Sequence, residues 1–120
     1  MDINKTLREL KQRPGFTENV GMMLVHNGVV RGWARNTHAA VETINVRVDR
    51  ARMHAICREL EQEPGIFAIV ADCAEGELKP GDDVLFLVVA GDIREHVKAT
   101  FATLLDRVKA EAINKAEQLA

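Results

Sequence analysis

The chain has 120 residues and a mass of 13.3 kDa, the size of one domain, 1–120, with a single core burying roughly two-thirds of its unfolded surface. Hydrophobic residues make up 47% and charged residues 28%, which excludes a chain disordered throughout. Sixteen Lys+Arg against eighteen Asp+Glu leave a formal charge of −2, which argues against a nucleic-acid module held by bulk positive charge.

Residues 2–12 place Ile3, Leu7 and Leu10 on one helical face behind an Asp2 cap, and Pro14-Gly15 stops the helix. This charged start is not a signal peptide, and no apolar run approaches the ~18 residues of a membrane span, so a cytoplasmic protein is expected. Residues 20–31 (VGMMLVHNGVVR) read as a buried strand. Within it Asn27-Gly28 suits either a two-residue hairpin turn or a glycine bulge in a continuous strand. Residues 32–40 break all periodicity and read as a loop.

Ile44, Val46 and Val48 alternate with Asn45 and Arg47, the period of a half-buried strand. Asp49 then caps a helix whose face carries Met53, Ile56, Cys57 and Leu60, and Pro64-Gly65 ends it. Strands follow at 66–73 and 83–90. The intervening EGELKPGD holds a Pro80-Gly81 turn and is too short for a parallel crossover, so the two strands are antiparallel neighbours. Asp92 and Glu95, three apart, read as a capping box opening a long helix with Val97, Phe101, Leu104, Leu105 and Val108 on one face. After Lys109 the stretch AEAINKAEQLA has no Pro or Gly and is rich in helix formers, so the helix is expected to continue. The order helix, strand, strand, helix, strand, strand, helix predicts an α+β fold: a mostly antiparallel or mixed sheet with helices packed on it.

The chemistry-bearing candidates are cations at element ends: Arg31, Arg35, Arg47, Arg94, Lys98, Lys109 and Lys115. Most such residues are ordinary solvated surface. Arg31 differs, because it follows an apolar strand and precedes a glycine-containing loop, where binding groups are often mounted. Arg94 and Lys98 stand one turn apart at a helix start, suited to an anion or else a solvated face beside Asp92 and Glu95. His26, His38, His54 and His96 have no ligand-spaced partners, so no metal site is expected. Cys57 and Cys73 form no CxxC, which leaves Cys73 a pocket thiol or, the commoner case, a buried structural one. No nucleotide or nucleophile-elbow motif is present, and no cofactor is expected.

Gly28-Val29-Val30-Arg31, ending an apolar strand before a small polar loop, resembles the catalytic (large) subunit of molybdopterin synthase. Gly76-Glu77-Leu78-Lys79-Pro80-Gly81-Asp82 resembles that family's Gly-x-Leu-x-x-Gly-(Asp/Glu) turn. DVLFLVVAG at 83–91 resembles its next strand, and Leu105-Asp106-Arg107-Val108-Lys109 its Asp-x-x-Lys segment. In order, these pieces span about residues 19–117. The resemblance implies a hammerhead-like α+β fold, a homodimer, and a small ubiquitin-like sulfur-carrier partner. It also implies sulfur transfer from that partner's thiocarboxylated tail to a cyclic pyranopterin monophosphate, in molybdenum cofactor biosynthesis. By it Arg31 and Arg94 bind the substrate anion, Lys109 is catalytic with Lys115 as its second lysine, and 27–28 is a bulge in a continuous strand.

The chain also departs from the pattern. The family's His-Arg before the last helix reads Ile93-Arg94, and another His-Arg reads Cys73-Ala74. The terminal Pro-(Ile/Phe)-Trp-Lys-x-Glu reads Ala112-Ile113-Asn114-Lys115-Ala116-Glu117. These changes keep a second reading open: a catalytically inactive paralogue that binds a partner protein or a pterin-like anion. A third is an unrelated small-molecule binding domain. If residues 110–120 stay helical, Lys115 lies ~9 Å along the axis and ~120° around from Lys109, and the lysines do not converge.

Overall fold

A computed structural model describes residues 1–120. Helix α1 (Ile3–Lys11) is capped by Asp2, whose carboxylate accepts from the Lys5 N–H at 3.0 Å. Its apolar stripe of Ile3, Leu7 and Leu10 packs on Ala68, Phe86 and Val88. A one-turn helix α2 (Phe16–Asn19), which no local signal announces, begins at Gly15 with φ +87°. Strand β1 (Met22–Val29) is continuous and pairs antiparallel with β5 (Asp83–Gly91). The register shifts between Gly28 and Val29, and the supernumerary residue is Val84 on β5, not the glycine. On its other side β5 pairs antiparallel with β3 (Ile66–Cys73), completing a β1-β5-β3 sheet.

A second three-stranded sheet, β4-β2-β6, corrects the expectation of one sheet. Its centre is β2 (Val41–Val48), with β4 (Gly76–Leu78) on one edge and β6 (Ile113–Leu119) on the other, all antiparallel. Helix α3 (Arg50–Leu60) follows β2 directly, with the Asp49 carboxylate accepting from the Arg52 N–H at 2.9 Å. Met53, Ile56, Cys57 and Leu60 form its buried face. They join Leu85, Leu87 and Val89 of β5 and Val97, Leu104 and Val108 of α4 (Arg94–Glu111) in the main core.

Both ends of α4 differ from expectation. Asp92 and Glu95 make no capping box: Ile93 holds the N-cap, while the Asp92 carboxylate accepts the Ile93 N–H at 2.7 Å and lies 2.8 Å from His96 Nδ1. At the other end the chain leaves the helix at Ala112 and becomes β6. The Ala112 carbonyl accepts the Asp49 N–H at 2.8 Å, and Ile113 enters register with Val48. Without β6 one whole edge of β2 would present unpaired backbone groups, so pairing outweighs a helix preference of only tenths of a kcal/mol per residue. No helix is long and apolar enough to cross a membrane.

Candidate functional site

The turn from α4 into β6 decides where the cations meet. In β6 alternate residues share a face, which puts Ile113, Lys115 and Glu117 together. Ile113 packs on the core, Lys115 is in register with Val46, and Glu117 with Ile44. Lys115 and Glu117 thereby line a hollow between the two sheets, about 240 Å³ in volume, with Ile44, Val29, Val30 and Arg31 as its other walls.

Arg31 is mounted firmly. Val30, just before it, is buried; its N–H donates to the Asp82 carbonyl at 2.9 Å, and its carbonyl accepts the Gly81 N–H at 2.9 Å. Gly81 is at φ +93°, a conformation that favours glycine. The Pro80-Gly81 turn thus belongs to the site's scaffold, holding the strand end from which Arg31 projects.

The electrostatics tie two further side chains to the hollow. Desolvation first and then repulsion from Lys109 lower the Lys115 ammonium pKa below its ordinary value; Cys73 opposes this, Arg31 adds a smaller push downward, and Glu117 opposes most weakly. His26, inside β1, is also shifted down, first by burial and then by Lys109 and Lys115. Its Nε2 is buried with no hydrogen-bond partner, and its ring lies 6.2 Å from that of Phe101 on α4. Both cysteines are unpaired thiols in the core; burial pushes Cys57 up to about 11 and raises Cys73 as well. Neither is therefore a ready thiolate nucleophile at neutral pH.

Of the four sequence candidates, Arg31 and Lys115 line one hollow, and Lys109 is near enough to act on Lys115 through its charge. Arg94 is not brought there. It lies at the opposite end of α4, ~22 Å along the helix axis from Lys109, exposed and 3.2 Å from Glu95. Arg47 lines a separate surface depression with Asn114. Sequence reasoning set His26 aside as a lone histidine and did not single out Glu117 or Trp33. Only the second sheet brings Glu117 to the hollow, and only the fold of loop 32–40 lays Trp33 against Arg31.

A family model described as "MoaE protein" matches residues 1–111. The chain belongs to the MoaE family. Membership places it among the molybdopterin synthase large subunits, in molybdenum cofactor biosynthesis. A search of curated proteins found no match. Among solved structures, a molybdopterin synthase from Staphylococcus aureus is similar over 100% of this chain and 86% of its own, at 18% identity and TM-score 0.79. A molybdopterin biosynthesis MoaE protein from Burkholderia ambifaria matches over 100% and 81%, at 20% identity and TM-score 0.76. A complex of subunits 1 and 2 of molybdopterin-converting factor from Helicobacter pylori matches over 98% and 80%, at 16% identity and TM-score 0.70. The α+β fold expected from sequence is the MoaE fold. The family match ends before β6, the strand that carries Lys115.

Proposed function

We propose that this MoaE protein transfers sulfur from the thiocarboxylated tail of a small ubiquitin-like partner to a cyclic pyranopterin monophosphate. It acts as a homodimer in the cytoplasm. The observation that carries the reading is that Arg31 and Lys115, 84 positions apart, line one hollow, with Lys109 near enough to act on Lys115 through its charge. An anion entering it meets two solvent-exposed cations on the walls and a third near Lys115, and charge-assisted hydrogen bonds from Arg31 and Lys115 suit an anionic group. The hollow is smaller than the ~300–1,000 Å³ of complete small-molecule sites, so one protomer receives the anionic end of the substrate.

In each transfer the tail's carbon–sulfur bond breaks and water takes the sulfur's place on the tail, while at the pterin a carbon–sulfur bond forms as a carbon–oxygen bond at the same carbon breaks and its oxygen leaves, protonated or still bound to phosphate. Lys109 acts at the tip of the tail, as acceptor of the acyl group or as a proton-transfer group. Lys115, on the wall of the hollow, is the second lysine of the site and offers its ammonium to the substrate anion. Arg94, at the far end of α4, is too distant within one protomer to reach the hollow. The similarity to the Helicobacter complex supports a small-subunit partner.

An assay supplying pyranopterin monophosphate and a thiocarboxylated partner tests this. Lys109→Ala is expected to lower product formation at least 100-fold, and equal product from that variant would falsify the assignment. A second reading, an inactive paralogue that binds the same anion, is favoured by the family's His-Arg site reading Cys73-Ala74 here, which supplies no cation. Binding without product from the unaltered protein would establish it.

A further inference from the structure

Loop 32–40 is more ordered than its sequence suggests. Trp33 and Ala40 form a β-bridge, the Ala34 N–H donates to the Ala39 carbonyl at 2.8 Å, and the Val41 N–H to the Gly32 carbonyl at 3.0 Å. His38 turns this small hairpin at φ +56°, the one non-glycine residue of the chain in the left-handed region, which a side chain rarely adopts. The strained turn lays the His38 ring against the Trp33 indole, centroids 4.9 Å apart and planes 17° from parallel. The same indole lies 4.9 Å from the Arg31 guanidinium carbon. Trp33 is 43% exposed and meets the hollow only through Arg31, which lines it.

The chemistry of this contact matters. A carboxylate paired with Arg31 would occupy the in-plane N–H donors that an incoming anion needs. An indole takes the cation against its π face and leaves those donors free. Arg31 forms no ion pair, although Glu117 lines the same hollow. We propose that Trp33 is a positioning residue: its indole holds the Arg31 guanidinium at the hollow's edge with its N–H donors directed to an anion, while His38 fixes the indole from within the loop. The proposal rests on the reading of the hollow as an anion site.

Trp33 is the only tryptophan in the chain, so its fluorescence reports on the stack directly. In the ligand-free protein, Arg31→Gln is expected to change the Trp33 emission; unchanged emission would overturn the stack. Binding is then measured calorimetrically, with inorganic phosphate and with pyranopterin monophosphate as probes. The proteins compared are the unaltered chain, Trp33→Ala, Trp33→Phe, Arg31→Gln and the Trp33→Ala/Arg31→Gln double variant. Loss of a cation–π contact of this kind should weaken binding roughly two- to five-fold in Trp33→Ala. Trp33→Phe restores most of it, and in the sulfur-transfer assay the loss falls on KM and not on kcat. In the Arg31→Gln background Trp33→Ala should have no further effect, because the indole acts through the guanidinium. An equal loss in both backgrounds overturns the positioning role and leaves the anion site standing. Failure of the unaltered protein to bind either probe overturns both.

Discussion

His26 is the residue on which local and global demands conflict most. Strand β1 needs an apolar side chain there, yet the position holds an imidazole whose Nε2 has no partner. Such an orphaned nitrogen costs about 1–3 kcal/mol, and His26→Phe is expected to raise stability by about 1 kcal/mol, measured by urea unfolding. The pH dependence follows from the direction of the shift. The folded-state pKa lies below the ordinary 6.5, so the unfolded chain binds the proton more readily. Stability due to this group is complete above pH 6.5 and declines as pH falls towards the lower folded value. His26→Phe should remove that part of the decline; an identical acid profile in both proteins would show that His26 does not titrate abnormally. Nothing in the sequence distinguishes this histidine from a satisfied one, because its neighbours Lys109 and Lys115 lie more than 80 positions away.

The hollow is walled by the end of β1, by β2 and by β6, and β6 departs from α4, which an ion network joins to α3. Glu111, the last residue of α4, pairs with Arg52 on α3 and, at 2.9 Å, with Arg107 on α4. Arg107 also reaches Glu59 on α3 at 2.8 Å. The two arginines hold the Glu111 carboxyl at about 2, and offset the penalty of a negative charge at a helix C-terminus. The network clamps the helix end from which β6 departs. A carboxylate with a depressed folded pKa contributes stability that is present above its ordinary 4.5 and is lost as pH falls through about 2. Glu111→Gln should lower Tm at neutral pH, with a difference that shrinks at high salt and disappears towards pH 2; an unchanged Tm would count against the clamp.

At this scale much was legible. Strand β2 and the Asp2 and Asp49 caps follow from alternation and capping chemistry, and strand 66–73 from its apolar run. β6 was not, because its signal is the vacant edge of β2 and not its own helix-favouring residues. The three-residue β4 has too few positions to show a period, and it lies inside a stretch that reads as turn.

The whole molecule is elongated, 50 × 25 × 24 Å, with a Cα radius of gyration of 15.5 Å against ~13.6 Å for a compact chain of this length. Two sheets, not one, produce that shape, and the hollow lies at their junction. The fold family was readable from ordered short motifs, and Arg31 and the two lysines were nominated by the same resemblance. Their meeting was not readable, since it depends on a helix-to-strand change that opposes local propensity. The convergence can be observed directly by following the side-chain titration of Lys115 by NMR. Its pKa should lie below the ordinary 10.5 and move upward in both Lys109→Gln and Arg31→Gln. A Lys115 that titrates at 10.5 and ignores both substitutions would contradict the account.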